Sequence, residues 1–328
     1  MNLQNAIGFI CPCCSGRDCS PVDTYKLPPR RDPEGGLVDI SYPLVKCTHC
    51  THVAANPVPS QVDVGRYYGS KAFWKAQGVE VDSNDSDWRK KLTENSSLWE
   101  RFCRARRQIQ FVRQNLSHLP KTRIIDLGSG YSPFLYFCQE AGFQNLYALE
   151  PFGEICSFLE RQGVTTYPQL LEDFVKRNDL PKFDLMLISH TLEHLLDPAE
   201  VLEGLRRHLS PEVILFIDVP FEDYLRPYKQ GLHYQFFSPS SIKSLAQRTG
   251  FTVKAIEHDR FGAFEARLIN WLFAVYGLSF GKKGGISASP NVDLLHKMAW
   301  RPVKSLFGLK INIFISSLDL RVLLARLP

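Results

Sequence analysis

From residue 123 onward, short runs of apolar residues alternate with longer amphipathic segments, in which apolar residues recur every three or four positions. The apolar runs predict strands over 123–127, 145–149, 164–167, 183–189, 212–219 and 252–258, and one more near 311–324. The amphipathic segments predict helices over 133–141, 152–162, 168–178, 198–208 and 239–249. Alternating strands and helices are typical of a parallel sheet covered by helices on both faces. We therefore predict an α/β fold with a doubly wound sheet.

A different pattern precedes these strands. Residues 61–120 are predicted to form a helical connector or lid, after a linker that contains Pro57 and Pro59. Within the connector, one long amphipathic helix is predicted over 88–118. Five apolar positions fit a helical stripe that we expect to pack against the sheet: Leu98, Phe102, Ile109, Val112 and Leu116.

An acidic residue and a tight glycine turn follow the first strand of the alternating region. Asp126 lies at the end of the apolar run, and Gly128 and Gly130 follow at once. Glycine lets the backbone approach a ligand without an intervening side chain, and the next helix aims free N–H groups at that ligand. Glu150 ends the next apolar run about 20 residues later, the spacing at which an acidic side chain meets ribose hydroxyls in nucleotide-binding βαβ units. The pattern predicts a nucleoside cofactor.

The same turn distinguishes between nucleoside cofactors. Dinucleotide folds use a third glycine for close packing of helix and strand, and they bind a pyrophosphate at the helix N-terminus. Pro133 stands at that third position here, and the Asp126 carboxylate would repel a pyrophosphate. S-adenosylmethionine carries a sulfonium and an ammonium group but no phosphate. The turn therefore favours S-adenosylmethionine.

These and later segments resemble the class I S-adenosylmethionine-dependent methyltransferases of the small-molecule branch, over roughly residues 100–260. The glycine turn resembles their motif I, residues 183–189 look like their fourth strand, and Glu193-His-Leu-Leu-Asp-Pro198 is similar to a phrase common in that branch. The resemblance implies a Rossmann-like methyltransferase fold with a mostly parallel seven-stranded sheet, whose seventh strand is antiparallel. It also implies that 121–328 form the methyltransferase domain, with a helical insertion over about 262–308.

The resemblance assigns six residues to the donor site: Asp126, Gly128, Gly130, Glu150, Ser189 and His190. Glu150 is expected to bind the ribose, and Asp126 is expected to lie near the ammonium group. The two glycines are expected to line the methionine portion. Ser189 and His190 are expected to border the adenine or the sulfonium.

Four residues are candidates for acid–base chemistry at the acceptor: His190, Glu193, His194 and His233. Methyl transfer is an in-line displacement at an activated carbon, so the protein chiefly aligns donor and acceptor, removes a proton where needed and excludes water. Histidine titrates near neutral pH, which suits it to this role. The alternative is that Glu193 and His194 hold the loop after the fourth strand and that His233 latches a neighbouring loop.

Nine cysteines are many for a cytoplasmic enzyme, and their odd number argues against a disulfide framework. Two Cys-x₂-Cys pairs are formed by Cys11, Cys14, Cys47 and Cys50. Structural zinc prefers four soft ligands in a tetrahedron, so residues 1–60 are predicted to form a small zinc-ribbon-like module that the metal stabilises. Four nearby side chains are alternatives to one of these ligands: Cys13, Cys19, His49 and His52.

Composition and charge indicate the expected cellular location and the kinds of binding partner. Hydrophobic residues make up 44% and charged residues 22% of the chain, which is ordinary for a soluble globular protein. The net charge of +5 permits an anionic partner but does not require one. The first residues lack the pattern of a signal peptide, and the longest apolar run, 268–280, is too short to span a bilayer. We expect a cytoplasmic protein with no transmembrane segment and leave its oligomeric state open.

Three functions remain open. The leading hypothesis is methyl transfer to a small-molecule acceptor, such as a sugar, a sugar nucleotide or a natural-product intermediate. The second is methylation of an RNA base, which arginines over 101–113 favour and the modest net charge disfavours. The Asn-Pro-Pro-Tyr-type phrase of many base N-methylating enzymes is also absent after the fourth strand. The third is a non-catalytic binding protein on the same fold, which the intact glycines and Glu150 disfavour.

Overall fold

The structure, a computed structural model, describes residues 8–26, 30–31, 37–38, 41–58, 74–75, 79, 87–115, 123–221, 223–225, 232–258 and 319–326. Contacts group residues 1–258 and 319–328 in one unit and residues 259–318 in a second. The second unit lies outside the described residues. The predicted insertion over 262–308 therefore lies there too.

A small antiparallel sheet follows the first cysteine pair. The N-terminal strands are β1 (Cys19–Lys26), β2 (Arg30–Arg31), β3 (Leu37–Val38), β4 (Ser41–Cys47) and β5 (Val53–Ala55). β4 pairs with both β1 and β5, whereas β2 and β3 pair with each other. Cys19 stands opposite Cys47 in the β1–β4 register. This register brings the first cysteine pair, just before β1, next to the second pair, which begins at the end of β4.

Two helices, α1 (Trp88–Glu94) and α2 (Ser96–Asn115), stand where the sequence predicts a single helix over 88–118. The break falls at Asn95, whose backbone is extended (φ −88°, ψ 125°) and whose side chain accepts a hydrogen bond from the Leu98 N–H. Asparagine favours this capping role because its amide oxygen satisfies a free N–H of the first helical turn. The prediction of one continuous helix is therefore wrong at this residue.

Eight more strands are β6 (Ile124–Leu127), β7 (Leu146–Leu149), β8 (Thr165–Tyr167), β9 (Phe183–Ser189), β10 (Leu209–Pro220), β11 (Gln235–Phe236), β12 (Phe251–His258) and β13 (Asp319–Arg326). All but β11 form one sheet in the order β12-β13-β10-β9-β6-β7-β8. The strands from β10 to β8 in this order are parallel neighbours. β13 runs antiparallel to β10 and to β12. The predicted mostly parallel seven-stranded sheet is confirmed, with its last strand beginning at Asp319.

The connecting helices are α3 (Pro133–Glu140), α4 (Gly153–Arg161), α5 (Leu171–Phe174), α6 (Pro198–Leu205) and α7 (Pro239–Arg248). Four of them match the predicted helices closely. The prediction over 168–178 is wrong in length, because α5 is a single turn and turns and irregular chain follow it. Asn, Asp and Pro are frequent in that stretch and favour turns. No described helix combines the length and apolar character needed to cross a membrane.

Both faces of the central sheet are buried. Along β9, Leu185 and Leu187 belong to one apolar cluster, whereas Met186 and Ile188 belong to the other. Successive side chains of a strand point to opposite faces, so a strand that is apolar throughout implies two covered faces. α2 contributes to the first cluster through Leu98, Ile109 and Val112 and so follows the predicted stripe.

β11 belongs to the N-terminal sheet rather than to the central one. It pairs antiparallel with β5, with Gln235 opposite Ala54 and Phe236 opposite Val53. The Ala55 N–H also donates to the Tyr234 carbonyl oxygen over 2.8 Å. The sequence pattern does not predict this strand. As a result, the cysteine-bearing module shares one sheet with the segment that carries the candidate His233.

Candidate active site

The turn after β6 strongly favours glycine at two positions. Gly128 and Gly130 adopt positive φ angles of 78° and 51°, a region that other residues rarely enter. A Cβ atom at Gly128 would lie 2.3 Å from the Thr191 Oγ1. A Cβ atom at Gly130 would lie 2.7 Å from the ring of Trp74. The turn is therefore packed between the loop after β9 and an aromatic side chain.

Glu150, at the end of β7, holds this turn. Its Oε2 accepts a hydrogen bond from the Gly130 N–H and its Oε1 accepts one from the Phe152 N–H, both over 3.0 Å. The side chain is buried, and burial raises its pKa to about 7. Each carboxylate oxygen can accept two hydrogen bonds. Glu150 can therefore fix the turn and also accept hydrogen bonds from the hydroxyls of a ligand.

Asp126 is tied to the start of the helix after the turn. It accepts a hydrogen bond from the Ser132 hydroxyl over 2.6 Å, and Ser132 Oγ in turn accepts one from the Leu135 N–H at the start of α3. Burial raises the pKa of Asp126 to about 7. Ser132 also has a positive φ of 40°. The two predicted donor-site acids thus lie on either side of the turn, and both are buried.

The donor-site candidate Ser189 leads into a polar cluster that includes residues the sequence pattern does not single out. The Gln108 side chain of α2 donates to Ser189 Oγ over 2.7 Å and to Asp218 Oδ2 over 2.6 Å. Burial, followed by the negative charge of Asp319, raises the pKa of Asp218 to about 7. α2, β9 and β10 therefore converge on one polar contact at the carboxyl edge of the sheet.

His190 lies between two carboxylates at this edge. Its φ is 51°, and its N–H donates to the Asp218 carbonyl oxygen over 2.8 Å. The ring Nδ1 is 3.4 Å from Glu193 Oε1, and Nε2 is 3.3 Å from Asp319 Oδ1. Burial, followed by the charge of Arg104, lowers the His190 pKa to about 4. The ring is therefore neutral at physiological pH.

Two guanidinium groups balance the carboxylates on the β13 side of His190. Arg104 Nε is 3.6 Å from Asp319 Oδ2, and Arg321 Nε is 3.9 Å from Asp218 Oδ1. All four side chains are largely withdrawn from solvent. β13 reaches this edge at its first residues because it is antiparallel. Sequence reasoning misses these groups because they are brought to β10 from distant helices and strands.

The other three acid–base candidates lie together on the opposite side of His190. Glu193 and His194 belong to the short 3₁₀ turn Leu192–His194 after β9, and His194 Nε2 lies 3.9 Å from Glu193 Oε1. The rings of His194 and His233 are 4.8 Å apart between centroids, at 69°. Burial raises the pKa of Glu193 to about 8 and lowers that of His194 to about 3. Glu193 is therefore an unusually poor acid and His194 a neutral imidazole.

Both of these histidines are oriented through Nδ1. His194 Nδ1 is 2.8 Å from the Leu232 carbonyl oxygen, and His233 Nδ1 is 2.6 Å from Asp223 Oδ2. A carbonyl oxygen only accepts, so His194 must carry its proton on Nδ1. The Tyr42 hydroxyl donates to the His233 carbonyl oxygen. Asp223 is a partner that the sequence pattern does not single out.

Two turns with the same backbone pattern hold the cysteine pairs. The Ser15 N–H donates to the Cys11 carbonyl oxygen over 2.9 Å, and the Thr51 N–H donates to the Cys47 carbonyl oxygen over 3.1 Å. Ser15 and Thr51 both have positive φ, 61° and 65°. The repetition shows that the two turns are built alike, although 36 residues separate their first cysteines.

The thiols of the two turns converge. Four Sγ atoms lie within 4.8 Å of one another, those of Cys11, Cys14, Cys47 and Cys50. The distances are 3.4 Å between Cys11 and Cys50 and 3.5 Å between Cys14 and Cys47. Two of the alternative ligands face other partners: His52 Nε2 is 2.8 Å from Gln235 Oε1, and His49 Nε2 is 3.3 Å from Asp18 Oδ2. These four thiols form a cluster of soft sulfurs that could hold a metal ion.

Residues 98–256 match the family model of a methyltransferase domain. The matched stretch contains the glycine turn, Glu150 and the Glu193–His194 turn. Together with the seven-stranded sheet, the match shows a methyltransferase domain over this part of the chain and supports an enzyme. No curated protein matches the chain.

Several solved structures are weakly similar. A methyltransferase from Leishmania major is 14% identical, covering 92% of this chain and 97% of that chain, with a TM-score of 0.47. One from Archaeoglobus fulgidus is 18% identical, covering 72% and 97%, with a TM-score of 0.43. Magnesium protoporphyrin IX methyltransferase from Synechocystis, with bound S-adenosylmethionine, is 14% identical, covering 63% and 95%, with a TM-score of 0.44. At these levels of similarity none of them indicates a methyl acceptor for this chain.

Proposed function

We propose that this enzyme transfers a methyl group from S-adenosylmethionine to a small-molecule acceptor such as a sugar, a sugar nucleotide or a natural-product intermediate. The main supporting observation is that Thr191 connects the glycine turn to the histidine cluster. Its hydroxyl lies against Gly128 and donates to the Leu127 carbonyl oxygen over 3.1 Å. Two residues later the chain reaches Glu193, in the histidine cluster. A donor at the glycine turn would therefore be a direct neighbour of an acceptor at that cluster.

On this proposal, the donor lies along the glycine turn. Glu150 accepts hydrogen bonds from the ribose hydroxyls, and Asp126 provides negative potential toward the ammonium group. The backbone of Gly128 and Gly130 lines the methionine portion. Ser189 and His190 border the adenine or the sulfonium, at the end of β9. In support, both acids are buried with a raised pKa, so a cation bound beside them would offset the cost of their ionisation.

Transfer is an in-line displacement. A bond forms between the acceptor atom and the methyl carbon as the bond between carbon and sulfur breaks, and the sulfonium becomes a neutral thioether. The acceptor gives up a proton to the cluster that contains His190, Glu193, His194 and His233. The protein contributes alignment, desolvation and this proton transfer.

RNA-base methylation is less well supported. Of the arginines over 101–113, Arg104 lies 3.6 Å from Asp319. Arg101 lies over the Trp74 ring, 5.2 Å from its centroid. These two side chains are engaged within the fold, whereas Arg106 and Arg113 are exposed. The helix therefore offers only part of the exposed basic stripe that is the usual footprint of a nucleic-acid binder.

The cysteine cluster fits a structural zinc ion. Zinc bound to thiolates at about 2.3 Å in a tetrahedron places the sulfurs about 3.8 Å apart. The two distances above, 3.4 and 3.5 Å, lie close to that value. A bound ion would fix the module that pairs with β11 and would thereby hold the segment of His233. We propose this positioning role, with no part for zinc in the methyl transfer itself.

The test is a screen of acceptor pools with methyl-labelled S-adenosylmethionine, comparing sugar nucleotides and other small molecules with total RNA. We expect label in a small-molecule fraction, at a rate that Glu150→Ala strongly lowers and Glu200→Ala leaves unchanged. Glu200 is a matched control because it is an exposed glutamate on α6. Label that enters RNA alone would contradict the proposed acceptor class.

A further inference from the structure

We propose that Glu193, His194 and His233 bind one divalent first-row transition-metal ion on the acceptor side of the site. The role of the ion in catalysis rests on the proposed function, whereas its binding does not. The three residues each offer one ligand atom, and these atoms all lie within 4.8 Å of one another. Two imidazoles and one carboxylate form the facial donor set that such ions use when positions are left open for a substrate.

The three ligand atoms are close together but not yet at coordination distance. Ligand atoms at about 2.1 Å from one ion lie about 3.0 Å apart on one face of an octahedron and about 3.4 Å apart in a tetrahedron. The distance from Glu193 Oε1 to His194 Nε2 is 3.9 Å, and no two of the ligand atoms are more than 4.8 Å apart. Closure on an ion therefore requires these atoms to approach one another by up to about 2 Å, which rotation of the three side chains can provide.

The Nδ1 atoms of His194 and His233 have the kind of hydrogen-bond partner that is usual for metal-ligating histidines. A ligating imidazole usually donates its second N–H to a carboxylate or a backbone carbonyl, which fixes the tautomer and the ring orientation. Here the Leu232 carbonyl faces His194 Nδ1 and the Asp223 carboxylate faces His233 Nδ1. In both rings Nε2 is then the atom that would face the ion.

The buried carboxyl group of Glu193 provides evidence for a cation that is independent of the histidine geometry. The residue is 1% exposed, and neither carboxylate oxygen accepts a hydrogen bond from any residue that the structure describes. The His190 and His194 rings lie 3.4 and 3.9 Å from its Oε1, and both rings are neutral. Buried polar groups in proteins are hydrogen-bonded, and buried charges are paired or coordinate metals. A divalent cation would favour the ionised form of this buried carboxyl group and satisfy it, which the neutral imidazoles do not.

A second trio nearby, His190, Asp218 and Asp319, also has ligand atoms within reach of one another. There the protein supplies the positive charge itself, because Arg104 and Arg321 lie against the two aspartates. Described guanidinium groups make no such contact with Glu193. The metal is therefore assigned to the first trio.

Three protein ligands leave coordination positions for an acceptor oxygen, which a metal ion activates by lowering the pKa of its hydroxyl. This narrows the substrate class to acceptors methylated on oxygen. With the ion bound, Glu193, His194 and His233 act as its ligands rather than as proton acceptors. The hydroxyl proton then leaves to water, the oxygen bonds to the methyl carbon, and the carbon–sulfur bond breaks. The ion changes neither oxidation state nor the products.

The test is a titration with Co²⁺ of protein that holds one Zn²⁺ per chain, followed by visible absorption and metal analysis. Thiolates bind zinc more tightly than cobalt, so the four cysteines keep their zinc. The added Co²⁺ then reports on a site of nitrogen and oxygen ligands, and its absorption spectrum should lack thiolate charge-transfer bands. We expect one Co²⁺ per chain, with affinity lowered about tenfold or more by Glu193→Gln, His233→Asn and the outer substitution Asp223→Asn. Glu200→Gln should leave the affinity unchanged.

Donor binding, measured on the same samples, reports whether each variant is folded and tests the donor site separately. A wild-type protein that binds S-adenosylmethionine but no Co²⁺ would overturn the metal site alone. The same holds if folded Glu193→Gln protein binds Co²⁺ as tightly as the wild type does. Co²⁺ binding that responds to these substitutions, in a protein that does not bind S-adenosylmethionine, would support the metal site and contradict the proposed function.

Discussion

Replacement of Glu150 by alanine tests the donor site most sharply, because this carboxylate has two separable tasks. It accepts hydrogen bonds from the Gly130 and Phe152 N–H groups, and we propose that it also accepts bonds from the ribose. Each buried N–H left without an acceptor costs about 1–3 kcal/mol, and the removal of a buried carboxyl with a raised pKa offsets part of this. We expect a net loss of about 2 kcal/mol in the free energy of unfolding.

The ribose contacts add a second effect, on affinity. Hydrogen bonds to a charged acceptor contribute about 1–3 kcal/mol, so the dissociation constant for S-adenosylmethionine should rise roughly 5- to 140-fold. Isothermal titration calorimetry measures the affinity, and urea unfolding without ligand measures the stability. Glu200→Ala should change neither quantity. Donor affinity within twofold of the wild type, in folded Glu150→Ala protein, would refute the ribose contact.

Three more perturbations have defined outcomes. Asp126 has a folded-state pKa raised from 3.8 to about 7, so its contribution to stability is complete below pH 3.8 and is lost as pH rises through 7. The unfolding free energy of the wild type relative to Asp126→Asn should therefore fall by about 4 kcal/mol from pH 3.5 to 8, and equal slopes would contradict this. Gly128→Ala should abolish detectable donor binding, because its Cβ would overlap Thr191; calorimetry with normal affinity would count against the packed turn. Cys47→Ser, which removes one thiol of the cysteine cluster, should lower methyl transfer about tenfold or more while donor affinity changes little, and a parallel loss of both would argue against a specific effect on the His233 segment.

The central sheet was predictable because its strands are apolar on both faces and its helices are amphipathic. Glycine and acid spacing likewise indicated the turn and Glu150 as a candidate cofactor site. These signals are local, since each lies within about 20 residues of chain.

The acceptor side was only partly predictable. His190, Glu193, His194 and His233 stood out as titratable residues near the ends of predicted strands. Their partners did not, because strand register and helix packing decide them.

Asp223 faces His233 through a short 3₁₀ turn, and Gln108 reaches Ser189 from a helix 81 residues away in sequence. The break at Asn95 and the short β11 were missed for a related reason. In each case a few tertiary or capping hydrogen bonds outweigh the surrounding periodicity.

We propose above all that the glycine turn and Glu150 bind a positively charged, phosphate-free nucleoside. Calorimetric titration of the purified protein with S-adenosylmethionine, nicotinamide dinucleotides and flavin dinucleotide tests it directly. We expect saturable binding of one S-adenosylmethionine per chain and no comparable heat from the dinucleotides. Tight binding of a dinucleotide, with no response to S-adenosylmethionine, would contradict it.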